Sequence, residues 1–488
     1  MNGLIIDLFA GGGGASVGIE MALGRPVDIA INHDPAAILM HKTNHPKTKH
    51  ITEDIFTVDL QKYVGGRKVD LMWASPDCTQ FSKAKGGKPR EHGIRVLPWA
   101  VYEHTKAVKP SVVIMENVEE IQQWGALDEN GYPIEEDKGK EYERFIQAMK
   151  DLGYTFDCRE LVAADYGAPT TRKRWYAIFR NDGRPIRWPA VTHFKDREPK
   201  WKACGDYVDW SDLGTSIFDR KKPLAEATQR RIANGIRKYI IENEHPYIVK
   251  DKKAMAFIIQ YHAEQKKGDS RGQLLSEPIK TIDTSNRYGL VTAFLTKFYK
   301  TGIGQGCEEP IHTITTSPGH FGLVSAFLIK YYGTGKNGES LGEPVATVTT
   351  KDRFGLVSAF LVSYYGRDDA IWPVDYPLGT VTTKDRYGLV NVLVEIEGQK
   401  YIIADIFLRM LNPEELKQMQ GFPKDYIIDR DYLWRPYPKS EQVARIGNSV
   451  VPVMAEAIVK ANCPYLKVGE RAPSPRIYFS DYGQMAFA

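Results

Sequence analysis

Apolar positions in the first third of the chain come in short unbroken runs. "LIIDLF", "VDIAIN", "VDLMWAS" and "SVVIMENV" are apolar at nearly every residue, as strands covered on both faces must be. Between the runs, "GASVGIEMALG" and "DPAAILMHKTN" place apolar residues at helical spacing, and Gly24 stops the first of them. "KEYERFIQAMKDLGY" puts Phe145, Met149 and Leu152 on one helical face and ends at Gly153. This alternation predicts an α/β domain over residues 1–188, Rossmann-like and doubly wound around a mostly parallel sheet.

From residue 189 to about 405 the pattern shifts to short strands broken by Gly and Pro. "EPIKTIDTSNRYGLVTAFL", "EPIHTITTSPGHFGLVSAFL", "EPVATVTTKDRFGLVSAFL" and "YPLGTVTTKDRYGLVNVLV" form a repeat over about 257–394. Its glycines Gly289, Gly322, Gly355 and Gly388 recur every 33 residues. Thr, Val and aromatic content predicts strand pairs, "xTVTT" followed by "GLVSAFLIKYY", in a smaller, mainly β region. Helical patterns return over 406–465 in "NPEELKQMQGFP" and "SVVPVMAEAIVKAN", with Pro413 at a first helical position. The tail over 466–488 has no assignable pattern.

Composition narrows the class. With 42% hydrophobic and 26% charged residues the chain is globular in character, and no apolar run is long enough to cross a bilayer. The amino terminus lacks the charged region of a signal peptide, which predicts a cytoplasmic protein. Five scattered cysteines without a C-x-x-C pair suggest neither disulfides nor a metal site. A formal charge of +4 permits a polyanionic partner without requiring one.

Four stretches carry candidate chemistry. "DLFAGGGGASVGIE" joins a buried strand to a helix through four glycines, fitting neither the P-loop nor the G-x-G-x-x-G fingerprint. It reads as an adenosine-type cofactor loop or as a merely tight turn. Asn32 and Asp54 follow later strands where a ribose and a base are held, or are solvated loop residues. "VVIMENVEEI" ends a strand in Glu116, which burial would suit to general-acid work, or in a helix cap by Asn117. "APTTRKRWYAIFR" sets Arg172 and Arg174 on one side of a strand, suiting phosphate or carboxylate recognition, or a basic strand entrance.

Together, and in this order, these stretches with "SPDCTQFS", "RMLNPEELKQMQGFP" and "ARIGNSVVPVMAEAI" resemble the DNA cytosine-5 methyltransferases over about residues 1–188 and 405–462. The resemblance implies a discontinuous catalytic domain, completed by the last helix, and a target recognition domain that holds the repeats. It implies transfer of a methyl group from S-adenosyl-L-methionine to C5 of a cytosine flipped out of double-stranded DNA. Cys78 would add to C6, Glu116 would hold N3, and Arg174 and Arg172 would position the base and nearby phosphates. Asp7, Phe9, Ala10, Gly11, Gly12, Gly13, Asn32, His33, Asp54, Ile55, Pro76, Asn448 and Val450 would form the cofactor site. Gln80 and Ser82 would contact DNA, as would Arg287, Arg353 and Arg386 from repeat loops that otherwise serve as a β scaffold. A monomer is expected, with a cognate restriction endonuclease as a functional partner that need not touch it.

Three positions depart from the family pattern. Asp77 stands directly before Cys78, with Pro76 displaced by one; Asn32 replaces a ribose-binding Glu; Thr170 replaces the Gln ahead of the paired arginines. An ionised Asp77 about 6 Å from the sulfur would cost the thiolate about 3 kcal/mol, roughly two pKa units, so its carboxylate is expected to be paired or turned away. Two other activities compete: methylation of transfer RNA, and a catalytically dead DNA-binding relative. The long insert argues against the first; Cys78, Glu116 and Arg174 argue against the second.

Overall fold

The computed structural model describes residues 3–77, 96–218, 220–249, 254–261, 271–297, 399–468 and short strands within 327–396 and 477–487. They group into two compact units: residues 1–202, 278–285 and 413–488, and residues 203–277 and 286–412. Residues 189–202 thus pack with the first unit, as does 278–285, an eight-residue segment of the first repeat.

In the first unit the strands are β1 (Leu4–Leu8), β2 (Ile29–Ile31), β3 (Lys49–Ile51), β4 (Val69–Ala74), β5 (Val112–Asn117), β6 (Thr155–Val162) and β7 (Lys173–Arg180). They form one sheet of order β3-β2-β1-β4-β5-β7-β6, parallel except where β7 runs against β5 and β6. Strand residues alternate between two cores. Leu4, Ile6, Leu8, Met72 and Val113 face α4 (Leu97–Val108) and α5 (Lys140–Asp151), while α3 (Leu60–Val64) covers the same side. Ile5, Leu71, Trp73 and Ile114 face α1 (Gly14–Leu23) and the final helix, Pro452–Asn462. The C-terminal segment therefore completes the same doubly wound core that the amino terminus begins. At Gly18 a side chain would collide with the Pro452 carbonyl, which sets how closely these two helices lie.

Local signals place the helix ends. Asp34 caps α2 (Pro35–Asn44) by accepting the Ala36 N–H at 2.9 Å, and Gly24 closes α1 in the left-handed conformation.

The second unit is built on an antiparallel sheet. β8 (Thr215–Ser216), β9 (Ile248–Val249), β10 (Ala254–Gln260), β11 (Gly272–Gln273) and β12 (Tyr288–Lys297) precede the repeat strands β13 (Phe327–Lys330), β14 (Gly338–Ser340), β15 (Phe354–Val357), β16 (Leu361–Val362) and β17 (Ile371–Trp372). β18 (Leu393–Ile396) and β19 (Gln399–Met410) then complete the order β11-β10-β12-β19-β18. The helix α6 (Glu226–Ile236) and the π turn Arg237–Ile241 lay Ile232, Ile236, Tyr239 and Ile240 on Met255, Phe257 and Ile259. In the first repeat "YGLVTAFLTK" is the predicted strand, β12. "KTIDT" is not a strand: the residue before it, Ile279, forms an isolated bridge with Thr170, and the Ile282 carbonyl accepts from Arg172. The corresponding "xTVTT" stretches of the later repeats lie outside the described residues. The first unit ends with α7 (Pro413–Met419), α8 (Lys439–Asn448), α9 (Pro452–Asn462) and a strand pair, β20 (Ile477–Phe479) with β21 (Met485–Phe487).

Candidate active site

Chain order leaves β1 toward β2 and β3 on one side and reaches β4 and β5 on the other. The carboxyl ends of β1 and β4 are therefore the switch point where an open α/β sheet receives ligands. Every described first-unit candidate from the sequence except the C-terminal pair leaves the sheet at this edge or precedes β7.

The glycine loop begins with Phe9 in the left-handed region, φ 64°, a strained position for a residue with a side chain. The Ala10 N–H donates to the Ile31 carbonyl at 2.9 Å, tying the loop to the end of β2. A Cβ added at Gly11 would find only the Phe9 carbonyl, 3.9 Å away, so this glycine faces open space. Its neighbours are glycines for another reason. Side chains would strike Ser449 and the Arg445 carbonyl at Gly12, the Tyr426 hydroxyl at Gly13, and the Val450 carbonyl at Gly14. Tyr426 donates to the Gly12 carbonyl at 2.8 Å, and the Gln420 amide donates to the Ser449 carbonyl at 3.1 Å. The loop is thus held from behind by the C-terminal segment, with Val450 buried and Asn448 exposed. Tyr426 carried no sequence signal for this role, since its partners lie more than 400 positions away.

Asp7 sits beneath the loop, fully buried. Its carboxylate accepts from Ser16 Oγ at 2.7 Å, and burial pushes its carboxyl up to about 7 against the lowering pull of Ser16. Ser16 Oγ also lies 2.9 Å from His41 Nε2, whose other ring nitrogen is 2.8 Å from His50. Burial holds His41 well below its ordinary range and His50 down to about 4, so both rings are neutral near pH 7. Asp7 belongs to this internal chain of hydrogen bonds.

At the next strand ends, Asn32 is half-buried and its Oδ1 accepts the Asp34 N–H at 2.8 Å, with no hydrogen bond from its amide NH2 among the described residues. His33 and Asp54 are exposed and Ile55 is buried; Asp54 Oδ1 accepts the Phe56 N–H at 2.8 Å. An open glycine, an unspent amide, an apolar Ile55 and an exposed carboxylate match the needs of an adenosine-type group.

On the other side of the switch point, β5 ends in Glu116, only 7% exposed. Arg174 Nε stands 3.3 Å from Glu116 Oε1, close enough for charge pairing but not aligned for a hydrogen bond. Glu116 Oε1 makes no hydrogen bond among the described residues. A buried carboxylate oxygen with its hydrogen-bonding capacity unspent is rare in folded proteins and marks a place where a ligand donor fits. Asn117 is no helix cap: its amide donates to the Pro76 carbonyl at 3.1 Å, fixing the start of the "SPDCTQFS" loop beside β5. Pro76 is buried and Asp77 exposed; Cys78, Gln80 and Ser82 lie outside the described residues, as do Arg353 and Arg386.

Arg172 and Arg174 both act on buried Tyr176 but hold different partners. Arg172, just ahead of β7, is 5% exposed. Its Nη1 donates to the carbonyls of Gly447 at 2.9 Å and Ile282 at 3.3 Å. The neighbouring Thr171 N–H donates to Ile279 at 2.8 Å, and a side chain at Gly447 would collide with Asp283. Arg172 is therefore a strut between the repeat segment 278–285 and the end of α8. Thr170, fully buried, accepts the Arg172 N–H through Oγ1 at 3.3 Å.

The sequence profile of the C-5 cytosine-specific DNA methylases matches residues 4–462, nearly the whole chain. The chain belongs to this family. Among relatives of this chain, the type II methyltransferase M1.HphI of Haemophilus parahaemolyticus is 30% identical over 197 residues, 38% of this chain and 48% of its own. M.SacI of Streptomyces achromogenes is 30% identical over 215 residues, 40% of this chain and 52% of its own. The chain thus spans about half the length of these curated relatives. The solved S. pombe Dnmt2 methyltransferase covers 94% of this chain and 98% of its own at a TM-score of 0.43 and 13% identity.

Proposed function

We propose that the chain transfers a methyl group to C5 of a cytosine in duplex DNA. The observation that carries this reading is the buried Glu116 oxygen left without a hydrogen bond beside Arg174, at the strand end adjoining the Cys78 loop.

A cytosine ring must leave the helix stack before a nucleophile can approach C6 from above its plane. The Cys78 thiolate then adds to C6, and the ring's electrons shift toward C5 and N3. Glu116 meets N3, and Arg174 stabilises the charge that gathers on that side of the ring. After C5 gains the methyl group its proton passes to a solvent base, the electrons of that C–H bond reform the C5–C6 double bond, and the Cys78 sulfur departs as the thiolate. S-adenosyl-L-methionine, when bound, supplies the electrophilic methyl group. Gly11, Asn32, Asp54 and Ile55 are the residues to hold its adenosine part, with Phe9 and Val450 flanking. Asp7 and the glycines at 12 and 13 act from behind, keeping the loop in shape. The type II names of the relatives suggest a role beside a restriction endonuclease.

The test is methyl transfer from isotopically labelled S-adenosyl-L-methionine, followed by base-resolution mapping of genomic DNA from a host that expresses the protein. Label at cytosine C5 in a recurrent sequence context is expected. Label in RNA alone would replace this reading with the RNA-modifying one.

A further inference from the structure

Charge in the second unit is concentrated on one stretch. Between Arg220 and Lys238 stand seven basic residues and one acid, Glu226, in a chain whose formal net charge is only +4. Structure explains which side of α6 they occupy. Ile232 and Ile236 bury against Phe257, and Gly235 lets that ring come so near that a Cβ would collide with it. With this face pinned to the sheet, Arg230, Arg231, Arg237 and Lys238 are left on the partly exposed edge. Glu242 lies 3.8 Å from Arg237.

The basic edge is also ordered around an aromatic ring. Arg231 places its guanidinium 5.5 Å from the centre of the Tyr261 ring, at the end of β10. Tyr261 is hydrogen-bonded to Thr228 and feels the charge of both Arg231 and Arg220. Arg220 is itself fixed, donating to the Leu408 carbonyl at 2.6 Å. The Tyr261 N–H donates to the Arg287 carbonyl at 2.8 Å, and a Cβ at Gly289 would stand 3.2 Å from the ring. Gly289 is the recurrent glycine of the first repeat, so that repeat is in direct contact with the basic edge.

We propose that Arg220 and Arg231, ordered around Tyr261, form with Arg230 on the helix of Arg231 and with Arg287, whose carbonyl accepts the Tyr261 N–H, a clamp for the phosphate backbone of duplex DNA that holds the substrate without reading its sequence. This rests on the duplex-DNA reading given above. Guanidinium groups offer several donors in a fixed fork matched to phosphate oxygens, and Arg220 and Arg231 are already oriented by Leu408 and Tyr261, which lowers the ordering cost of binding. Contacts to phosphates supply affinity and register rather than specificity.

The experiment compares the full chain with the triple variant Arg220→Gln/Arg230→Gln/Arg231→Gln and with its Arg→Lys counterpart. Affinity for a short random-sequence duplex is measured across a salt series, beside thermal unfolding and methyl transfer at saturating DNA. The Gln variant should bind about tenfold more weakly at physiological salt, with a salt slope lower by about 0.9 for each phosphate that is no longer neutralised. Its turnover at saturating DNA and its unfolding temperature should match the parent, and the Lys variant should keep most of the slope. An unchanged slope in the Gln variant overturns the clamp, as does an equal loss in both variants with a lowered unfolding temperature. A changed slope for duplex RNA but not for DNA overturns it too. If the parent chain transfers no methyl group to DNA, the proposed function fails while the salt slopes still decide the clamp.

Discussion

The two ends of the molecule's chemistry are built in opposite ways. At the carboxyl end of the first sheet, Glu116 and Arg174 are largely buried and face each other across 3.3 Å, and Asp7 is sealed under the glycine loop. Over Arg220–Lys238 in the second unit, seven basic residues stand against one acid, and Arg230, Arg231, Arg237 and Lys238 are at least partly exposed. A reacting group must be desolvated and fixed, because electrostatic stabilisation grows as water is excluded. A group that grips a long polyanion needs reach and number more than burial.

Breaking the first arrangement should give the largest effects. Glu116→Gln keeps the shape but removes the charge that answers Arg174, and methyl transfer should fall by about 10²–10⁴, the range for a group that handles a proton or charge in the transition state. Single-turnover rates at saturating DNA and cofactor check this, and a loss confined to KM would point to binding instead. Next come the glycines. Gly14→Ala and Gly12→Ala force a methyl group into the C-terminal segment, so each should cost about 1–3 kcal/mol of stability. Gly11→Ala should leave the unfolding temperature unchanged and weaken S-adenosyl-L-methionine binding in a calorimetric titration, since only its side faces open space.

A further effect, on stability alone, concerns pH. Asp7 has a folded-state pKa raised from 3.8 to about 7. Its contribution to stability is fully present below about pH 4 and lost as pH rises through 7, a swing of up to about 4 kcal/mol. Asp7→Asn keeps an acceptor for Ser16 without that dependence. Its unfolding temperature relative to the parent should therefore be higher at about pH 8 than at about pH 5. A difference independent of pH would show that Asp7 stays charged or stays neutral throughout. His41 and His50 act in the opposite sense, losing stability as pH falls below their unfolded value, and they are common to both proteins.

The strands of the first unit were legible because burial on both faces writes an unbroken apolar run, and β1, β4 and β5 fall on the quoted runs. The reason for the glycines was only partly legible. Sequence pattern calls for close backbone approach, but whether a cofactor or a distant helix makes that approach depends on Tyr426, Ser449 and Val450, more than 400 residues on. The different partners of Arg172 and Arg174 were not legible, because the Gly447 and Ile282 carbonyls that hold Arg172 lie more than 100 positions away. "KTIDT" reads as a strand by composition, yet in the first repeat it packs on Thr170 and Arg172 as a strap. The basic edge of α6 has no motif; only a local count of charge against the whole chain could have found it.

The most direct test of the central claim uses duplex DNA that carries 5-fluorocytosine, with S-adenosyl-L-methionine present. Fluorine at C5 cannot leave as the proton does, so the sulfur that has added to C6 is trapped. The parent chain should form a denaturant-stable adduct with the DNA, and Cys78→Ser should form none while still binding the duplex. An adduct that survives in Cys78→Ser, or none in a parent preparation that methylates ordinary DNA, would contradict the account.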